Sequence, residues 1–296
     1  MLNSFSSSHI TVDEISNRYP SDIRIHVLRL DKLHPVVSGN KWFKLRFYLE
    51  EALFLKKKGL ITFGGAWSNH IVATAAACRD SGLQSIGIIR GEEPAQWSQS
   101  LVDAKQAGME LYFISRSDYK EKHVPALLEI DPASYSLVPE GGYGPVGVKG
   151  AATIAAIPKE IFTHYVCMAG TGTMTAGLIN ALPASSKVIS ISAMKNNHSL
   201  QEMIAGQLNP VHAEWALLHD YHGGGYARHS PALLRFMNDF YKETGIPTDF
   251  VYTGKLFLAV DDLVNKSFFP PGSRILVIHS GGLQGNRSLP KGTLNF

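Results

Sequence analysis

Short, continuously apolar runs recur along this chain with helical patterns between them. No other feature of the sequence limits the fold as strongly. Ile86-Gly87-Ile88-Ile89 and Ile275-Leu276-Val277-Ile278 place no polar residue on either alternate face. A strand of that kind must be covered on both sides, as in a parallel sheet with helices above and below. Strands are expected at Leu60–Phe63, Ser85–Arg90, Glu110–Ser115, Tyr135–Pro139, Thr163–Met168, Lys187–Ala193, Glu214–Leu218 and Arg274–His279. Helices are expected at Lys41–Lys58, Ser68–Ser81, Ala95–Ala107, Val146–Glu160, Thr171–Leu182, Pro231–Thr244 and Lys255–Lys266. The alternation predicts an α/β fold with open, twisted, mostly parallel sheets covered by helices. A length of 296 residues suggests two domains, or one large one, at roughly 150 residues for each. The glycine-rich stretch Glu140–Gly150 is the expected passage between them.

Composition narrows the function classes. With 45% hydrophobic and 18% charged residues the chain can bury a sizeable core and is not disordered. A net charge of +3 is too small to imply a nucleic-acid partner. The one basic cluster, Lys56-Lys57-Lys58, closes a helical pattern, where cations suit the helix dipole. No apolar run approaches the roughly 20 residues of a membrane helix. The serine-rich start, Met1 to Ile10, lacks the apolar stretch of a signal peptide. Cys78 and Cys167 sit in apolar segments, so no disulfide framework is expected. The expectation is a soluble, cytoplasmic protein.

Parallel sheets bind ligands beyond the carboxyl ends of their strands, and four such junctions carry chemistry. In Ser38-Gly39-Asn40-Lys41-Trp42-Phe43-Lys44-Leu45, Asn40 reads as an N-cap and Lys41 falls in the first helical turn. The positive end of the helix dipole and the apolar neighbours both lower a lysine pKa there, as a Schiff-base nucleophile requires. Taken alone, a solvated lysine that starts a helix reads the same way. In Phe63-Gly64-Gly65-Ala66-Trp67-Ser68-Asn69-His70, the free N–H groups of a helix start can receive a carboxylate or phosphate. Ordinary capping by Ser68 is compatible with that. In Ala169-Gly170-Thr171-Gly172-Thr173-Met174, backbone N–H groups and threonine hydroxyls converge after an apolar strand, which is phosphate chemistry. The glycine spacing fits neither a Walker loop nor a dinucleotide fingerprint. The fourth junction pairs Tyr221-His222-Gly223-Gly224-Gly225-Tyr226 with Val251-Tyr252-Thr253-Gly254-Lys255, whose phenols suit binding or proton transfer as well as packing. His219, His222 and His229 match no standard zinc spacing.

A lysine, an anion loop, a serine at a helix start and loop tyrosines together describe a pyridoxal phosphate (PLP) site. In order, Gly39-Asn40-Lys41 with Lys44-Leu45, Gly64-Gly65 with Ser68-Asn69, Thr171-Gly172-Thr173, and Tyr252-Thr253-Gly254-Lys255 resemble 1-aminocyclopropane-1-carboxylate (ACC) deaminase and D-cysteine desulfhydrase. Ile278-His279-Ser280-Gly281-Gly282 is similar to that family's C-terminal strand and glycine turn. The resemblance runs from about Arg29 to Gly282 and implies the tryptophan-synthase-β type of PLP fold. It implies a large domain of residues 1–44 plus 146–296, a small domain of 45–145, and a homodimer. It makes Lys41 the Schiff-base lysine and brings Lys44 toward the phosphate. Thr171, Gly172, Thr173 and Met174 become the phosphate loop, and Asn69 the partner of the ring oxygen. Ser68 then meets the substrate carboxylate or proton, Tyr226 and Tyr252 are active-site tyrosines, and Thr253 faces the pyridine nitrogen. ACC deaminases carry a glutamate at that last position and a glutamine where His70 stands. Thr253 and His70 are therefore similar to the desulfhydrase branch and lean toward β-elimination over ring opening. Trp67 departs from the smaller polar residue of better-known members, and Glu140 adds a carboxylate near the expected cleft.

The implied activity is a PLP-dependent deaminase or carbon–sulfur lyase that releases ammonia from a small amino acid. Two other classes predict different residues. A nicotinamide-dependent oxidoreductase needs an acidic residue about 20 positions after a true glycine fingerprint, and no such pairing exists. A PLP carrier with little catalysis would need Lys41 and the loop but not Ser68 or the tyrosines.

Overall fold

The computed structural model describes residues 7–123 and 131–296. Met1 to Ser6, part of the serine-rich start, and Val124 to Ile130, in the expected small domain, lie outside the described residues. The strands are β1 (Val12–Glu14), β2 (Arg24–Arg29), β3 (Gly59–Gly64), β4 (Gln84–Arg90), β5 (Glu110–Ile114), β6 (Tyr135–Val138), β7 (His164–Ala169), β8 (Lys187–Ser192), β9 (Glu214–Leu218) and β10 (Arg274–His279). The helices are α1 (Asn40–Phe54), α2 (Asn69–Asp80), α3 (Gln99–Gln106), α4 (Asp118–Glu121), α5 (Pro145–Ala152), α6 (Thr173–Ala181), α7 (Ser199–Ala205), α8 (Pro231–Thr244) and α9 (Thr253–Asn265).

Two sheets result. One has the order β1-β2-β10-β7-β8-β9 and the other β5-β4-β3-β6. All pairings are parallel except β1 with β2. Burial explains the apolar runs. In β10, Leu276 and Ile278 enter one hydrophobic cluster while Ile275 and Val277 enter another on the opposite face. At about 1.5–3 kcal/mol for each fully buried large side chain, the two layers hold such a strand from both sides.

The eight expected strands all form, with ends shifted by one residue at most. The sequence pattern did not disclose β1 and β2. In β2, Arg24, His26 and Arg29 interrupt the apolar residues, yet Arg29 is 6% exposed and held by Asp13 and Asp31 at 2.9 and 2.7 Å. Helix α1 stops at Phe54, short of the expected Lys58, because Lys56 adopts a left-handed φ of 52°. The N–H of Lys57 then reaches back to the carbonyl of Ala52, the closing bond of a Schellman turn. Helix α5 likewise ends at Ala152 and continues as a 3-10 turn over Thr153–Ala156.

The four-stranded sheet uses residues 59–138, and the six-stranded sheet uses chain on both sides of that stretch. The boundary drawn at residues 44 and 45 falls inside α1, a continuous helix. Among the described residues, no helix is long and apolar enough to cross a membrane. Both cysteines are buried and free.

Candidate active site

Strand ends from both sheets open on one cavity of about 570 Å³. Its floor begins at the start of α1, where the capping residue is Gly39 and not Asn40 as the sequence suggested. Gly39 has φ 69°, and a β-carbon there would lie 1.7 Å from the carbonyl oxygen of Ser280. Only glycine fits so close an approach, and Asn40 becomes the first helical residue, donating its N–H to Ser280 at 3.2 Å. The C-terminal glycine turn thereby sets the position of the next residue, Lys41. Its amine lies on the cavity wall and donates to Asn40 Oδ1 at 3.0 Å. Burial draws the Lys41 pKa down to about 8, against the opposing pull of the Asp249 carboxylate.

Lys44, one turn further, is 5% exposed. Its Nζ donates to the Gly141 carbonyl at 3.2 Å and to Thr171 Oγ1 at 3.4 Å. Burial, reinforced by the neighbouring Lys41, pushes its pKa well below the usual lysine value. Thr171 belongs to the loop from β7 into α6, where Gly172 caps the helix at φ 75° and the hydroxyls of Thr171 and Thr173 stand 3.0 Å apart. The Glu140–Gly142 turn after β6 closes over this loop, since a β-carbon at Gly141 would meet Thr171 Cγ2 at 2.8 Å. Gly170 and Thr171 line the cavity, whereas Gly172, Thr173 and Met174 stand behind its wall. The Met174 side chain turns into the core and accepts from Asn40 Nδ2 at 3.4 Å.

Ser68, Asn69 and His70 bring the start of α2 to another wall. Ser68 caps that helix by accepting from the N–H of Ile71 at 3.4 Å, which leaves its own proton to give. Thr62 donates to the Val138 carbonyl at 2.9 Å, so at the 2.9 Å contact between Thr62 Oγ1 and His70 Nε2 the imidazole is the donor. Burial and the charges of Lys41 and Lys44 lower the His70 pKa to about 3. His70 is therefore neutral, and its Nδ1 is a buried acceptor without a hydrogen-bond partner among the described residues. Tyr226 and Tyr252 also line the cavity, packed edge to face with centroids 6.0 Å apart. Burial, together with Tyr226, raises the Tyr252 phenol well above its ordinary pKa, so it keeps its proton.

Over residues 10–281 the chain matches the family described as pyridoxal-phosphate dependent enzyme. The chain belongs to that family. It is 30% identical over 302 residues to a bifunctional D-cysteine desulfhydrase/1-aminocyclopropane-1-carboxylate deaminase of Arabidopsis thaliana, covering 90% of this chain and 74% of that protein. It is 27% identical over 282 residues to a 1-aminocyclopropane-1-carboxylate deaminase of Mesorhizobium japonicum, covering 83% and 82%. In fold it is similar to an ACC deaminase homologue, with a TM-score of 0.79 at 24% identity over 94% of this chain and 90% of the other.

The residues present fit the cofactor of this PLP-dependent enzyme. Two lysine amines share the cavity and neither meets a carboxylate within ion-pair distance among the described residues. Such a pair calls for an aldehyde at one amine and an anion at the other. Thr253 stands differently from the other expected residues. It is fully buried and absent from the cavity wall, with its hydroxyl donating to Asp249 Oδ1 at 2.7 Å and accepting from the Asp249 N–H at 2.7 Å. Asp249 was not foreseen. Its carboxylate also accepts the N–H groups of Val251, Tyr252 and Thr253 at 2.9–3.0 Å, capping α9 from the preceding loop. The local signal was an aspartate that can accept the N–H groups two and three residues on, as in an Asx turn. Met168, Asn197, Arg90 and Arg116 also line the cavity although no motif contains them, together with Ser280 of the C-terminal glycine turn.

Proposed function

We propose that this PLP-dependent enzyme releases ammonia from a small amino acid, with β-elimination of the D-cysteine type as the favoured reaction. The observation that carries the reading is the meeting of three groups in one cavity: the Lys41 amine, the Lys44–Thr171 anion cradle, and Ser68 at the start of α2. When bound, the cofactor would supply the electron sink that lets a proton leave the substrate's α-carbon. The chain's own groups account for the rest. Lys41 offers an amine that sheds its proton at about pH 8, which would hold the cofactor and could take the α-proton. Lys44, Thr171 and the first N–H groups of α6 would hold the phosphate, and the N–H groups of Asn69 and His70 the substrate carboxylate. Ser68 and the protonated Tyr252 stand as donors toward groups that gain charge.

Asp249 bears on what Thr253 can do beside a pyridine nitrogen. A threonine whose proton is committed to a carboxylate can only accept from a further partner, so Thr253 does not by itself keep a ring nitrogen unprotonated. The preference for D-cysteine therefore rests on the similarity to desulfhydrases. The reading includes a homodimer in the cytoplasm, the latter in keeping with two free cysteines, and a small domain of residues 45–145, with α1 running across its first boundary.

The test is the purified protein with its cofactor. A visible absorbance band should be fixed by borohydride and lost in Lys41→Ala. Pyruvate should form from D-cysteine faster than 2-oxobutanoate forms from ACC. Turnover of ACC with none of D-cysteine would refute the β-elimination preference, and survival of the band in Lys41→Ala would transfer the lysine's role to Lys44.

A further inference from the structure

We propose that the substrate carries a second anion on its side chain, and that Arg90 and Arg116 receive it. The inference rests on the proposed function and concerns the substrate class of the same cavity. Arg90 ends β4, and Arg116 follows β5 by two residues, on adjacent parallel strands whose register sets Arg90 beside Ile114. Both side chains therefore leave the carboxyl edge of the smaller sheet, and both line the cavity. Arg90 reaches the Gly64–Ser68 loop, since a β-carbon at Gly65 would lie 3.5 Å from its Nη2. Its guanidinium also rests over the Tyr119 ring at 5.7 Å, which limits its swing.

Charge accounting points the same way. Arg90 and Arg116 are both exposed and are the arginines that the cavity wall carries. No carboxylate of the described residues lies within ion-pair distance of Arg90 or Arg116. Glu140, the acidic residue of the cavity wall, is held by Lys122 at 2.6 Å. The cofactor phosphate has Lys44 and the Thr171 loop, and the α-carboxylate has the start of α2. Two guanidinium groups remain, each a planar fork of donors that suits phosphate, sulfonate or carboxylate. ACC and D-cysteine offer nothing to them. A β-phosphorylated amino acid does, because the anion on the arginines is then the leaving group.

The reaction balances. A base removes the α-proton, the Cβ–O bond breaks with its electron pair, and phosphate departs onto the arginines. The resulting 2-aminoacrylate takes up one water and yields pyruvate and ammonia. O-phosphoserine plus water thus gives pyruvate, ammonia and phosphate, with no oxidant or reductant.

The experiment compares kcat/KM of the holoenzyme for both enantiomers of O-phosphoserine with that for β-chloro-D-alanine. The same ratio is measured in an Arg90→Gln, Arg116→Gln double variant. Calorimetry with 2-amino-3-phosphonopropanoate, which cannot eliminate, reads binding alone. We expect one enantiomer of O-phosphoserine to be preferred at least tenfold. The ratio should fall about 100-fold in the double variant, through KM and not kcat, as two charge-assisted contacts are lost. Phosphonate affinity should fall in parallel. O-phosphoserine no better than β-chloro-D-alanine, with no phosphonate binding, overturns the inference. So does an equal loss on both substrates, which would assign the arginines to the α-carboxylate. Phosphonate binding that depends on the arginines, without elimination of any substrate, keeps the anion site and refutes the proposed function instead.

Discussion

Raising the pH should speed capture of PLP by protein stripped of it, with a break near pH 8. The reacting species is the neutral Lys41 amine, whose pKa burial lowers from 10.5 to about 8. At pH 7 an ordinary lysine is neutral in about one molecule in 3,000, whereas an amine titrating at about 8 is neutral in about one in eleven. The fold thus raises the nucleophile's concentration about 300-fold at neutral pH. Below the break the second-order rate constant should climb about tenfold per pH unit, and above it should flatten. The phosphate's second ionisation, at about pH 6, lies well below that window. Asp249 opposes the effect of burial, so Asp249→Asn should move the break to lower pH. Stopped-flow absorbance on the stripped protein reads both. A rate still rising tenfold per unit up to pH 10 would show that Lys41 keeps an ordinary pKa. Stability follows the same sign. Between about pH 8 and 10.5 the unfolded chain holds the Lys41 proton and the folded chain does not, so the stripped protein should grow more stable as pH rises across that window.

Three substitutions test other parts of the site. Ser68→Ala should keep the cofactor band and lose turnover by about 10²–10⁴, with about 1 kcal/mol of stability from the lost cap; equal loss of cofactor and turnover would make Ser68 a cap alone. Gly39→Ala should weaken PLP binding and lower the denaturation midpoint, since its β-carbon meets the Ser280 carbonyl at 1.7 Å, and a fully stable, cofactor-loaded variant would contradict the close approach. Lys255 donates to the carbonyls of His222 and Gly225 at 2.8 Å each and so ties down the loop that carries Tyr226. Lys255→Met should raise KM about tenfold while the band persists, and an unchanged KM would mean the loop is held by other contacts.

What the sequence revealed follows from the range over which its signals act. The strand pattern of β4 and β10 is written in consecutive residues, and so is the Thr171-Gly172-Thr173 loop. Lys41 was legible because a cation at a helix start is costly without a use. Strand β2 was hidden because one of the two carboxylates that hold the buried Arg29, Asp13, reaches it only through the antiparallel β1, the other being Asp31. Motif matching named Met174 as part of the loop but could not say which way its side chain turns. Arg90 and Arg116 stood in plain view at strand ends, yet their shared outlook depends on the pairing of β4 with β5. Asp249 was overlooked for a simpler reason, since its capping of α9 is local and readable.

The place of β10 has a consequence for the chain's biosynthesis. This strand, residues 274–279, lies between β2 and β7. Until it emerges, the larger sheet exists as two unjoined pieces, one from the first thirty residues and one from the third quarter of the chain. The Ser280 carbonyl that seats the start of α1 arrives only afterwards. The smaller sheet needs nothing beyond residue 138 and is free to close on the ribosome. A nascent chain should therefore carry a finished small layer and a reactive lysine without a seat, and cofactor capture should wait for the last few dozen residues. Such long-range closure is slow, and it makes the C-terminal segment the step at which the enzyme becomes competent.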